Sequence, residues 1–161
     1  MSAFTSDKLG GGNASLSHSA LAAGTTTTTT IGATDFRIGA KTYTKAAASN
    51  GTTPTTDAVT GSAFVALQIG DACVFVFGLN AAGTLLCAQG PVESNSDYLG
   101  GQVALEFPTL PETFCPIGYE VVQVGSTGSA WTMGSSNQAA VTGVTKTFQS
   151  VAFLPPQPIA A

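Results

Sequence analysis

Charge is what this chain has least of. Asp, Glu, Lys and Arg make up 9% of its 161 residues, against 43% hydrophobic, where ordinary soluble domains carry roughly 25% charged residues. So sparse a charge does little to keep identical copies apart, and much of the surface is expected to be covered by partners. An all-β domain with a Thr, Ser and Asn surface is the plainer alternative. Basic residues are scarcer still: Lys8, Arg37, Lys41, Lys45 and Lys146 are scattered, and the net charge is -4. No basic stripe exists to neutralise a run of phosphates, which argues against direct nucleic-acid binding.

There is one histidine, His18, and it lies in a Gly, Ser and Ala-rich stretch near the N-terminus. A nucleophile, base and orienting group therefore have little to be built from, and no G-x-S-x-G, P-loop or G-x-G-x-x-G segment is present. The acids are dispersed, mostly at turns, whose chemistry accounts for them. Three cysteines, Cys73, Cys87 and Cys115, are an odd number without C-x-x-C spacing. They read as reduced, buried thiols, neither a disulfide framework nor a zinc site. No catalytic residue, metal or cofactor is expected. The start of the chain lacks a basic region followed by an apolar one, so no secretory signal is read there. No apolar run approaches the ~20 residues of a membrane helix.

What is present is β-forming sequence. Cys73 to Leu79 and Thr84 to Gln89 flank Asn80-Ala81-Ala82-Gly83 and predict a hairpin. Val74, Phe75, Val76 and Phe77 follow one another with no polar residue between them, so both faces of that strand must be covered, by a second sheet, a helix or a subunit. Cys115 to Val124 predicts a second strong strand, with Ile117, Tyr119 and Val121 on one face and Val122 and Val124 on the other. Phe36 and Ile38, the Gly39-Ala40 turn and Tyr43 predict a further hairpin. Thr25 to Thr30 reads as an edge strand, 46 to 60 as a surface loop, and Ala63 to Ile69 as a strand with Phe64 and Leu67 on opposite faces. SDYLGGQVALEF, Ser96 to Phe107, fits a short helix capped by Ser96 or Asp97 and weakened by Gly100-Gly101. Thr145 to Phe153 closes the core.

These elements predict an all-β protein: one antiparallel sandwich or barrel-like domain over residues 25–153, with at most one short helix. Residues 1–24, with Phe4, Leu9, Leu16 and Leu21 as spaced apolar anchors, read as an extended arm. Residues 154–161, with Pro155, Pro156 and Ile159, read as a second, polyproline-like arm. Val74, Phe75, Val76, Phe77, Ile117, Tyr119 and Trp131 are the expected core or subunit packing. Trp131, Tyr119 and Tyr98 read either as packing residues or as a platform for stacking sugars.

From residue 33 onward the order of features resembles small structural proteins of tailed bacteriophages. It is carried by the hairpin FRIGAKTYTKAA, the strand pair LNAAGTLLCAQG, the Leu-Pro connector into TLPETFCPIGYEVVQVG, then SAWTMGSSN and the aromatic final strand TKTFQSVAFLPPQP. The resemblance spans residues 21 to 158 apart from the loop at 46 to 60. It implies a non-enzymatic virion component made in the host cytoplasm, most like a capsid decoration or cement protein. Its implied partners are the major capsid protein and further copies of itself, as a trimer. Two other classes stay open: a head-fibre or tail-fibre module binding host glycan, and a virion-associated hydrolase, which would need a cleft with an ordered acid-base pair.

Overall fold

The computed structural model describes residues 12–159. Among the described residues eleven strands form three antiparallel sheets, and there is one short helix. The central sheet runs in the order β11-β10-β7-β8, formed by β7 (Asp71–Leu79), β8 (Leu85–Gln89), β10 (Cys115–Val124) and β11 (Val144–Ser150). The short strand β9 (Glu93–Ser94) pairs with the start of β7. A second sheet, β1-β4-β5, contains β1 (Ala14–Ser15), β4 (Thr34–Ile38) and β5 (Lys41–Lys45). The third, β2-β3-β6, contains β2 (Ala22–Ala23), β3 (Thr28–Ile31) and β6 (Ala48–Thr52). The protein is all-β, with a sandwich-like arrangement.

The hairpin of β7 and β8 forms as its sequence dictates. Asn80 Oδ1 accepts the N–H groups of Ala82 and Thr84, and Gly83 takes a φ of +73°, which a residue with a side chain adopts only under strain. Val74, Phe75, Val76 and Phe77 are completely buried. On one face, Phe75 and Phe77 join Leu21, Ile31, Phe36, Phe64, Leu67, Ile117 and Trp131 in a core lying between the central sheet and the two small ones. On the other, Val74 and Val76 pack with Leu105, Phe114, Tyr119 and Val121. Within the chain the second cover is not a further sheet, and the short helix adds only Tyr98. The cover is irregular chain, the 103–114 connector with Leu105, Phe107 and Leu110, and the C-terminal segment with Val151 and Leu154. Gly78 makes this possible, because a Cβ there would run into the ring of Phe114.

Several sequence expectations are corrected. The threonine run is not an edge: β3 is the middle strand of its sheet, with β2 on one side and β6 on the other. Thr29 is buried, with its Oγ1 and that of Thr53 sharing a hydrogen bond of 2.6 Å. A threonine so bonded hides its hydroxyl and packs its methyl. The stretch expected to be a loop contains β6, in which Asn50 adopts a φ of +55° beside the register shift between Thr29 and Ile31. Residues 63–69 form no regular strand, only bridges at Ala63 and Leu67. Phe64 and Leu67 both point into the core while Val65 and Ile69 are exposed. The helix α1 (Asn95–Leu99) is shorter than predicted and is capped by Ser94, whose Oγ accepts the Asp97 N–H.

In β10 the faces also differ from a plain alternation. The pairing with β7 skips a residue between Pro116 and Gly118, so Ile117 is an inserted, bulged residue. It puts Ile117 on the same side as Val122 and Val124, opposite Tyr119 and Val121.

The expected N-terminal arm is part of the domain from residue 12 onward. Asn13 Nδ2 donates to the carbonyls of Glu112 and Phe114, Ser19 Oγ to that of Ile117, and the Leu21 N–H to Ser150 Oγ. Leu21 is 6% exposed and belongs to the larger core. Its seat is Gly118, where a Cβ would lie 2.8 Å from Leu21 Cδ2. Leu21 is therefore a core residue rather than a partner contact. Phe153, expected to close the core, lies beyond β11 and is 51% exposed.

Candidate partner surface and an interior polar cluster

The two terminal segments meet. The Ser15 N–H donates to the Ala152 carbonyl at 3.1 Å, and Leu16 and Phe153, each directly following one of those residues, are both more than half exposed. Ser15, Leu16, Ser17 and His18 face Ser150, Val151 and Ala152 across a shallow groove of about 270 Å³. Further along, the Ile159 N–H donates to the Tyr119 hydroxyl at 2.9 Å, while the Ile159 side chain is exposed. Pro155 is half-buried and Pro156 exposed. Of the residues predicted to contact a partner, Leu16, Pro156 and Ile159 are thus open to solvent and Leu21 is not. Phe4 and Leu9 lie outside the described residues. Phe153 was missed because a period-two run from 145 onward places it inside, whereas β11 ends at Ser150.

The aromatic platform required for sugar stacking is not assembled. Trp131 and Tyr119 are buried, Trp131 with its ring edge-on to Phe75 at 5.7 Å and Tyr119 edge-on to Phe107 at 5.1 Å. Tyr98 is half-buried against the smaller cluster. The three thiols are free and buried. Burial pushes Cys73 up to about 12 and Cys115 up to about 11, so neither is a ready nucleophile. Among the described residues no group of three or more His, Cys, Asp or Glu side chains could hold a metal. No helix among them is long and apolar enough to cross a membrane.

One polar group escaped sequence reasoning. Glu120 sits, as its strand predicts, in the middle of β10, and it is completely buried, opposite Phe75 on one neighbour and Phe148 on the other. Neither of its carboxyl oxygens has a hydrogen-bond partner. Burial pushes its pKa up to about 8, against a weaker downward pull from Lys146 and from the amide of Gln138. Although that amide is near enough to favour the charged form, no bond of good geometry reaches either oxygen; Gln138 Nε2 donates to Met133 Sδ instead. Lys146, on β11, lies over the Trp131 ring at 5.8 Å and donates to the backbone carbonyls of Asn137 and Ala139. The only signal in the sequence was one acid inside a largely apolar strand, CPIGYEVVQV.

No protein-family model, no curated protein and no solved structure matches the chain.

Proposed function

We propose that this chain is a non-enzymatic virion structural protein of a tailed bacteriophage. In this reading it binds the outer capsid surface between capsomers and stabilises the shell, with the major capsid protein as partner and a trimer as its working form. The observation that carries the reading is the meeting of the two chain ends, which sets Leu16 and Phe153, both exposed, beside one groove. A folded all-β body that presents apolar side chains from its ends suits a cement that bridges neighbouring subunits. The low charge of the chain agrees with this, because burying few ions costs little on association. The glycan-binding alternative loses support because Trp131 and Tyr119 are inside.

Deleting residues 2–24 would not test the proposal cleanly, since it removes Leu21 and the bonds of Asn13 and Ser19 to the body. A double substitution, Leu16→Ser with Phe153→Ser, leaves the core intact. Each buried apolar side chain is worth about 1.5–3 kcal/mol. The double variant should keep the wild-type unfolding midpoint and bind purified capsids at least about tenfold more weakly. Undiminished binding, or only a handful of copies per particle by gel densitometry, would sink the decoration reading.

A further inference from the structure

A fully buried carboxyl with two unpartnered oxygens is unfavourable in its charged form, because no protein group replaces the water it has lost. The surroundings of Glu120 connect that cost to a piece of chain outside the strand ladders. Over this part of the sheet lies segment 131–141, largely without regular structure. It brings Trp131 against Phe75, the residue paired with Glu120, and buries Gln138, whose Oε1 is also unpartnered. The segment is tied to β11 through Lys146, whose ammonium donates to Asn137 O at 2.9 Å and to Ala139 O. It is tied to the small sheet's leading turn by the Gln138 N–H on Thr26 O.

We propose that Glu120 and Lys146 make segment 132–141 a proton-operated latch: Glu120 holds its proton while the segment is closed and releases it when the segment lifts, so that acid keeps the latch shut and rising pH loosens it. This inference is independent of the virion reading. Glu120 as the neutral acid can donate its proton to a nearby oxygen, and Gln138 Oε1 is the unpartnered one that this segment supplies. The ionised carboxylate would instead compete for the Lys146 ammonium, which now holds the segment's carbonyls. Both consequences of ionisation point to opening.

Two titratable groups act on or through Glu120. Lys146 faces it from β11, its own pKa lowered by burial and partly restored by Glu120. Cys87 faces it from β8, its thiol pushed well up by burial first and by Glu120 next. Asp57, beside β8, and Cys73, on β7, act on Cys87 and lie one step further away. With Glu120 at about 8 when closed and near its ordinary 4.5 when open, each opening between those values releases one proton. The ratio of closed to open segment then falls about tenfold per pH unit in that window and is level above about 8.

Hydrogen exchange on the full chain from pH 5 to 9, corrected for intrinsic rates, reads the latch directly. Protection of residues 132–141 should fall about tenfold per unit to about pH 8 and then level off, and in Glu120→Gln it should not vary with pH. A flat wild-type profile, or an unchanged slope in Glu120→Gln, overturns the latch. Cys87→Ala should keep the wild-type slope, and its loss there would transfer the effect to the thiol and also overturn the proposal. If Glu120→Gln does not fold, a carboxyl carbon NMR titration of the wild type decides: a Glu120 midpoint near 8 supports the latch, one near 4.5 refutes it.

Discussion

The two faces of the central sheet are covered by different kinds of chain. The face carrying Phe75, Phe77 and Val122 is closed by two small sheets and by residues 63–69 and 131–138. The face carrying Val74, Val76 and Tyr119 is closed by a connector and a terminal segment without regular structure. Ladder-bonded cover is rigid, because each strand's backbone groups are satisfied in one geometry. Irregular cover can settle around a change. Polar groups fare differently too: Glu120 points to the first side, beneath the irregular segment 131–141, with neither oxygen met, whereas the Tyr119 hydroxyl on the other side is met by the Ile159 N–H.

Three measurements would break or sharpen this contrast. The largest expected effect is at Phe75, whose ring is edge-on to both Phe64 and Trp131. Phe75→Ala should cost about 3–5 kcal/mol in urea unfolding, and Phe114→Ala, under the irregular cover, should fall at or below the low end of that range because the connector can collapse into the space. Equal costs would remove the distinction between the covers.

Next comes Glu120. Below about 4.5 both folded and unfolded carboxyls are protonated and nothing is lost. Between that value and about 8 only the unfolded one ionises, so stability falls as pH rises, and above about 8 the deficit is constant. Going from pH 5 to pH 8, wild type should therefore lose about 4 kcal/mol relative to Glu120→Leu. Parallel pH profiles for the two proteins would show that this interior tolerates the charge after all.

The smallest effect belongs to Tyr119→Phe, which removes only the acceptor for the Ile159 N–H. A cost of about 0.5–1.5 kcal/mol is expected, with faster proteolysis of the last residues. A larger loss would mean that the terminal segment is as integral as the ladder-bonded cover.

Much of this architecture was readable from the residues because the central strands announce themselves. Val74 to Phe77 has no polar position, and Asn80-Ala81-Ala82-Gly83 has the turn chemistry a hairpin requires. The errors fell where local pattern and long-range pairing disagree. Ala48-Ser49-Asn50-Gly51-Thr52 has no apolar periodicity, and is a strand only because β3 offers it a free ladder. Leu21 sits in a Ser, Ala and Gly-rich stretch and reads as unattached, since its seat at Gly118 lies about a hundred residues away in sequence. The one-residue bulge at Ile117 is silent in the sequence, and it reverses the face on which everything before it points. The exposed pair Leu16 and Phe153 could not be found without knowing that the segments bearing them meet, and Glu120 was placed in its strand without being singled out, because local pattern does not tell which strand positions are buried on both sides.

The bonding of the first described residues to the last strands has a consequence for how the molecule is made. Ser15, Ser19 and Leu21 find their partners at Ala152, Ile117 and Ser150, residues that leave the ribosome about a hundred residues or more after them. The early segment can pair early within the small sheets, β1 on β4 and β2 on β3, but throughout that interval Leu21 lacks its seat at Gly118. Contacts so distant along the chain are formed late and slowly. The contacts that close the fold therefore wait for β10 and for the chain after β11, whatever the early segment has already paired with.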